Sequence, residues 1–300
     1  MRKVYIDFMG NRNWLFLISA IIILVGIASI FVRGLNYGIE FRGGTAMTFA
    51  TGGKTITETQ LRDALQKNNI PAESIQPVEG VGFLVRSTEA SSGAASVAFG
   101  KVNQELGLVE SGGNVTTIGP GWGKNVQNAA ALAFILSIAA ILLYIALRFE
   151  YKMSVTAVIA LVHDLLVTVG VYALLGREIT PNTIAAILTI LGYSLYDTIV
   201  VFHRIRENSQ HLVKQTFMQM ANDSINQVLA RWINTGLASL IPVVVLLVFG
   251  GETLKDFAFA LTVGLLSGAY SSVAIASPLY AMWKETEPKF QALKKKYANA

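Results

Sequence analysis

The chain has 300 residues, of which 53% are hydrophobic and only 14% are charged, a balance typical of a membrane protein and not of a soluble enzyme. It contains no cysteine and only three scattered histidines, so we predict no disulfide, no metal and no other bound cofactor. The net charge of +5 lies mainly beside apolar stretches, which argues against nucleic acid as a partner and for the lipid bilayer.

Six apolar stretches have about the 20 residues that a helix needs to cross a bilayer. In chain order they are residues 14–32, 126–147, 153–176, 183–202, 232–251 and 257–283. We interpret the first as an uncleaved anchor, because Phe31-Val-Arg33 offers no small-residue cleavage site. The pattern predicts a membrane all-α bundle of six transmembrane helices. It divides the chain into residues 1–33, an extracytoplasmic domain of residues 34–125, helices two to six over residues 126–283, and a basic tail of residues 284–300.

Lysine and arginine concentrate before the first predicted span, after the second and the fourth, and in the C-terminal tail. The short connections on the opposite side carry only Arg177 and Lys255. Because basic residues favour the cytoplasmic side, both termini are predicted to be cytoplasmic and residues 34–125 to be outside.

Residues 34–125 alternate between strand-like and helix-like pieces. Strands are predicted at residues 45–50, 83–86 and 114–118. One helix begins at the capping-box pattern Thr57-Glu-Thr-Gln60, and a second covers residues 94–106 and ends at Gly107. This β-α-β-α-β series predicts a small α+β, ferredoxin-like layer. It contains no catalytic constellation, so protein contact is its expected role.

The fourth span carries Tyr193 and Asp197 on one helix face, with Ser194 beside them. A carboxylate inside an apolar span costs about 2.5–3.5 kcal/mol and is usually kept for function. We therefore predict a transport role for Asp197; the alternative is a buried structural hydrogen bond or ion pair. Arg231, at the start of the fifth span, either pairs with Asp197 or snorkels to the membrane surface.

The third and sixth spans hold further candidates. His163 and Asp164 lie about 16 Å into the third span. Adjacent helical residues do not share a face, so at least one of the two needs its own partner. Asp164 is the functional candidate, and His163 is either a core residue or part of a relay. In the sixth span, Gly264 and Gly268 form a G-x-x-x-G pattern that predicts close helix packing.

Several segments resemble one known family. Gly38-Ile-Glu-Phe-Arg-Gly-Gly-Thr45 resembles the G-[IL]-D-F-x-G-G-T signature of the SecD/SecF family of protein-export membrane proteins. Residues 192–208, 225–234 and 256–278 resemble that family's fourth, fifth and sixth spans, and His163-Asp164 stands where the family has a His-Asp pair. Among the departures, Glu40 replaces an aspartate and His203 replaces a residue that is often aspartate.

The resemblance implies half of a resistance-nodulation-division-type body. Its function would be that of an accessory Sec translocase subunit in the bacterial cytoplasmic membrane, which acts with SecD and uses the proton motive force to complete polypeptide export. SecD, the SecYEG channel and the translocating unfolded polypeptide are the implied partners, with YajC and YidC as further candidates. The coupling ion would be H⁺, with Na⁺ as the alternative.

By the same resemblance, Asp197 takes the position of the family's proton-relay aspartate and Arg231 that of its partner arginine. Asp164 joins them, with His163, Tyr193, Ser194 and Asn234 as supporting candidates. The glycine-rich segment of the signature contributes Gly38, Glu40, Gly43, Gly44 and Thr45. With residues 119–124 it forms either a hinge for the external domain or a closely packed base.

Two other functions stay open. One is a secondary transporter of small solutes, and the other is a purely structural scaffold for the translocase and insertase. Acidic and basic residues inside the spans argue against the scaffold, whereas a single six-span chain with a small external domain argues against the transporter.

Overall fold

A computed structural model describes residues 5–78, 81–89, 91–108 and 113–297. The ends of the predicted terminal segments, residues 1–4 and 298–300, lie outside the described residues. The chain divides into two compact units, one made of Met1–Asn36 and Ala133–Ala300 and the other of Tyr37–Leu132.

Within the described residues, six helical segments are long and apolar enough to cross a membrane. The first two are α1 (Arg12–Arg33) and, after the elements of the smaller unit, α5 (Pro120–Arg148). They are followed by α6 (Tyr151–Leu175), α7 (Pro181–Gln210) and α8 (Phe217–Phe249). The sixth segment is α9 (Glu252–Ser271), which continues through a π-helical turn (Ser272–Ala276) into α10 (Ser277–Lys284). A short helix, α11 (Pro288–Tyr297), ends the described chain.

The number of spans agrees with the sequence prediction, but the start of the fifth span does not. The predicted segment begins at residue 232, whereas α8 begins at Phe217, where Thr216 and Gln219 form a capping box. The first turns of α8 contain polar residues such as Asn222 and Asn226. These residues lower the hydropathy of the segment, so the predicted span began after them. These side chains are hydrogen-bonded to the N-terminal segment, so the helix continues through them.

Glycines set the closest helix contacts of the larger unit. A Cβ on Gly26 of α1 would lie 2.9 Å from the Cα of Gly170 on α6, so the two backbones touch. On α9, a Cβ on Gly268 would lie 2.8 Å from the Cβ of Ser194, and one on Gly264 would collide with Ile190. The G-x-x-x-G pattern therefore lies against α7.

The smaller unit contains a four-stranded antiparallel sheet and its helices. A two-residue strand, β1 (Asn36–Tyr37), and a short helix, α2 (Ile39–Arg42), precede β2 (Gly44–Ala50). Then follow α3 (Glu58–Lys67), β3 (Ala72–Val78), β4 (Gly82–Ser87), α4 (Ser92–Leu106) and β5 (Asn114–Ile118). The strand order is β3-β4-β2-β5. One more two-residue strand, β6 (Glu178–Ile179), lies between α6 and α7.

The core of this unit lies between the sheet and its two long helices. Met47, Phe49 and Val85 of the sheet are fully buried together with Leu61 and Leu65 of α3. The sequence predicted three of the four strands and both long helices, including the capping box at Thr57.

The missed strand is β3. It is an edge strand, and a partly exposed edge loses the strict alternation of apolar and polar residues on which the prediction relied. It also contains Pro77, a residue that strands tolerate at an edge because no ladder hydrogen bond is lost there.

Candidate functional site

A buried carboxylate, Asp164 on α6, joins three membrane helices. Its Oδ2 accepts hydrogen bonds from the hydroxyls of Ser194 on α7 (2.5 Å) and Ser271 on α9 (2.8 Å). Its Oδ1 accepts from the hydroxyl of Ser267 on α9 (2.6 Å) and lies 3.0 Å from His163 Nδ1. Asp164 is completely inaccessible to solvent. When Asp164 is ionised it only accepts hydrogen bonds, and the His163 Nδ1 is then the donor of this contact.

The network reaches a fourth helix through His163. The Nε2 of His163 lies 3.2 Å from the hydroxyl of Ser19 on α1, which lies 3.3 Å from the hydroxyl of Tyr270. The Tyr270 hydroxyl donates to the carbonyl of Leu15 at 2.7 Å, and its ring stacks on the imidazole. As expected for adjacent helical residues, His163 has a partner of its own in Ser19, although its imidazole also turns back to its neighbour's carboxylate.

The arrangement is that of a fixed acceptor. Each oxygen of Asp164 has two hydrogen-bonding neighbours, which satisfies the lone pairs that burial would otherwise leave unpaired. In a bilayer no water replaces a lost donor, so the network opposes separation of α1, α6, α7 and α9.

Asp197 is in the opposite situation. It is only 3% exposed, and its Oδ2 is buried without a hydrogen-bond partner among the described residues. Its neighbour Thr198 is paired, at 3.0 Å from the hydroxyl of Ser272 at the start of the π-helical turn. A buried carboxylate without a partner is costly in a membrane helix, which makes Asp197 a candidate functional group.

Arg231 and Asp197 lie at similar heights in the bundle but are not in contact. The hydroxyl of Tyr193 is 3.9 Å from the position of a Cβ on Gly236, which fixes the level of α7 against α8. Asp197 is four residues from Tyr193, about 6 Å along α7, and Arg231 is five residues from Gly236, about 7.5 Å along α8. The two helices run in opposite directions, so both displacements point to the same end of the bundle.

Both Arg231 and Asn234 have exposed side chains, and neither forms a hydrogen bond with Asp197 in the described part of the chain. Arg231 lies within α8, where the polar first turns of the helix end and its apolar stretch begins. The pairing of Arg231 with Asp197 is therefore absent within this chain.

The glycine-rich signature lies in the smaller unit as a closely packed turn. Gly38 precedes α2, and Gly43 (φ 78°) and Gly44 (φ 111°) lead into β2. A Cβ on Gly44 would collide with the carbonyl oxygen of Ser87, and the buried Thr45 hydroxyl donates to the carbonyl of Glu89 at 2.5 Å.

Glu40 has one buried carboxylate oxygen without a described partner. The second predicted hinge segment, residues 119–124, is mostly the first turn of α5, with Pro120 as its first residue. The closely packed turn at residues 38–45 and the helical turn at residues 119–124 are features of a closely packed base, which was the alternative to a hinge.

The sequence analysis named Ser194 and His163 but missed two further hydrogen-bond donors to Asp164, Ser267 and Ser271. Ser267 and Ser271 are four residues apart and face α6, a spacing that places both on one side of α9. This spacing was visible in the sequence, but the adjoining G-x-x-x-G pattern directed the interpretation to packing. Ser19 gave no signal, because an isolated serine in an apolar span is common.

These features define a multi-pass membrane protein whose helices are joined by a buried polar network. Two family models match the chain: "Protein export membrane protein SecD/SecF, C-terminal" over residues 99–286, and "SecD/SecF GG Motif" over residues 28–52.

The protein translocase subunit SecF of Streptomyces coelicolor is 37% identical over 98% of this chain and 81% of its own length. SecF of Thermodesulfovibrio yellowstonii is 38% identical, over 92% of this chain and 94% of its own length. The crystal structure of SecDF from Thermus thermophilus, described as a translocon-associated membrane protein, superimposes with a TM-score of 0.85 at 34% identity, over 94% of this chain. This chain spans 39% of that SecDF chain. The chain belongs to the SecD/SecF family, as its motifs predicted.

Proposed function

We propose that the chain is an accessory subunit of the Sec protein translocase which acts with SecD and uses the proton motive force to complete polypeptide export. The observation that carries this proposal is Asp197, a buried carboxylate without a described partner in a membrane helix. Relatives that are named as Sec translocase subunits support the same function.

In the proposed mechanism, Asp197 is the group that takes up and releases the coupling ion. The ion is H⁺, with Na⁺ as the alternative, since a carboxylate binds both. Asp164 has a narrower role than the relay predicted from the sequence: it is the fixed acceptor that holds the surrounding helices in place. Arg231 enters the relay as the basic partner of Asp197 only when another subunit completes the site.

SecD is the proposed partner that completes it. The middle of α8 exposes Arg231 and Asn234, and Trp232 has a buried indole N–H without a described partner. Lipid cannot satisfy such polar groups, so a second bundle on this side of α8 would offset their cost. The fused SecDF chain of Thermus thermophilus supports this pairing. SecYEG, YajC, YidC and the exported polypeptide remain further proposed contacts.

In this proposal both termini are cytoplasmic, in a bacterial inner membrane. Residues 34–125 form an external ferredoxin-like domain in this proposal; the strand–helix–strand–strand–helix–strand order from β2 to β5 and the antiparallel sheet support it. Its role is contact with emerging polypeptide.

The test is export of a secreted reporter in cells whose only copy of this subunit carries Asp197→Asn, with and without an uncoupler. We expect the variant to co-purify with SecD and to lose the gradient-dependent part of export. Glu207→Gln is the matched control, because Glu207 is an exposed acid on the same helix that pairs with Arg204 at 2.6 Å. Normal gradient-dependent export by Asp197→Asn would favour the scaffold. Loss of small-solute transport with normal export would favour the transporter.

A further inference from the structure

Two asparagines of α8, Asn222 and Asn226, contact the main chain of the segment that precedes α1. Asn226 pairs with both polar groups of Ile6: its Oδ1 accepts from the Ile6 N–H at 2.8 Å, and its Nδ2 donates to the Ile6 carbonyl at 2.8 Å. Asn222 Oδ1 accepts from the N–H groups of Phe8 (2.9 Å) and Met9 (3.2 Å). The Nδ2 of Asn222 donates to the Ile6 carbonyl at 3.1 Å.

All five of these bonds are made to backbone atoms of residues 6–9. Outside those residues, the Nδ2 of Asn222 also donates to the side-chain hydroxyl of Tyr5 at 2.9 Å. Hydrogen bonds to the main chain give affinity without reading the side chains of the bound segment, as in strand addition to a sheet edge. The side chain of Ile6 is 39% exposed. The segment has one deep apolar anchor, Met9, which is 3% exposed and belongs to the main core cluster of the larger unit.

A tight turn connects the bound segment to α1. The Asp7 carboxylate accepts from the Gly10 N–H at 2.7 Å, and the Asn11 side chain donates to the Asp7 carbonyl at 2.8 Å. A Cβ on Gly10 would meet the Asp7 carboxylate in its present position, so the two residues are closely packed in this turn. Helix α1 begins directly afterwards, at Arg12.

We propose that Asn222 and Asn226 form a binding site for a stretch of polypeptide main chain, and that residues 6–9 of this same chain occupy it as a latch. The latch holds the start of α1 to the first turns of α8, the helix that also carries Arg231. This site does not depend on the coupling role of Asp197. Its recognition is independent of sequence at Ile6, where only backbone groups are bound.

Hydrogen exchange of the full chain in lipid nanodiscs tests the site. The amide hydrogens of Ile6, Phe8 and Met9 each have a side-chain acceptor, so we expect them to exchange at least about tenfold more slowly than free amides. The double variant Asn222→Ala, Asn226→Ala should remove this protection and leave α6 unchanged. Protection that persists in the double variant would overturn the proposal.

A matched pair at one position separates backbone from side-chain recognition. Ile6→Ala keeps the amide hydrogen and should retain the protection of Phe8 and Met9. Ile6→Pro removes that hydrogen and should raise their exchange by about tenfold. Equal exchange in both variants would refute main-chain recognition.

A further control tests for general loosening of this end of the bundle. Asn208→Ala removes an asparagine that bonds Ser224 at 2.8 Å outside the latch, so residues 6–9 should stay protected. Exposure of residues 6–9 in this control, to the extent seen in the double variant, would also count against the site.

Discussion

Replacing Ser267 with alanine tests whether Asp164 is held as an ionised acceptor. The Ser267 hydroxyl donates to Asp164 at 2.6 Å, and both residues are buried, so no water takes its place. A hydrogen bond to a charged group contributes about 1.5–3 kcal/mol, whereas interhelical hydrogen bonds in membranes average about 0.6 kcal/mol. We expect a loss of about 1.5–3 kcal/mol, because Oδ1 is left with His163 alone.

The assay is reversible unfolding of the full chain in mixed micelles, followed by circular dichroism as the denaturing detergent is increased. Ser29→Ala is the control, because Ser29 is buried in α1 and its hydroxyl donates only to the Val25 carbonyl of the same helix, at 2.8 Å. Removal of such a back-bond should change the free energy of unfolding by about 0.5 kcal/mol or less.

A double-mutant cycle with Asp164→Asn completes the experiment. If the serine bonds a carboxylate, its contribution should fall when the acceptor becomes a neutral amide. A loss for Ser267→Ala no larger than that of the Ser29 control, or no coupling with Asp164→Asn, would refute the reasoning.

Two further outcomes follow from other contacts. Gly26→Ala places a Cβ 2.9 Å from the backbone of Gly170, so it should lower the free energy of unfolding by about 1–3 kcal/mol. The control Gly192→Ala meets nothing within 4 Å, so it should not lower the melting temperature in the same detergent. For Glu287, burial alone raises the pKa, but the hydrogen bonds and positive charges of Lys284 and Lys152 together outweigh burial, and the pKa lies below the ordinary value. The contribution of Glu287 to stability, about 0.2–1 kcal/mol, is therefore present near neutral pH and lost as the pH falls through the lowered pKa. Glu287→Gln should reduce the acid sensitivity of the melting temperature. An unchanged sensitivity would contradict this prediction.

The sequence determined the elements whose signals are local. Apolar length predicted the six spans, because a bilayer demands about 20 helical residues whatever their neighbours are. The capping box at Thr57 and the left-handed Gly107 marked helix ends through contacts a few residues apart. The edge strand β3 was missed because it lacks a regular apolar alternation, and the polar start of α8 was missed because its partners, residues 6–9, lie far away in the chain.

Only the tertiary structure decided which polar groups meet. From the sequence, Asp164 and Asp197 were both acids inside apolar spans. The structure surrounds Asp164 with donors from two other helices and from His163, whereas it buries Asp197 without a described partner. The physical reason is that hydropathy reports only the cost of burying a charge. The groups that offset this cost are brought together by helix packing. In this bundle the packing depends on contacts such as that of Gly268 with Ser194.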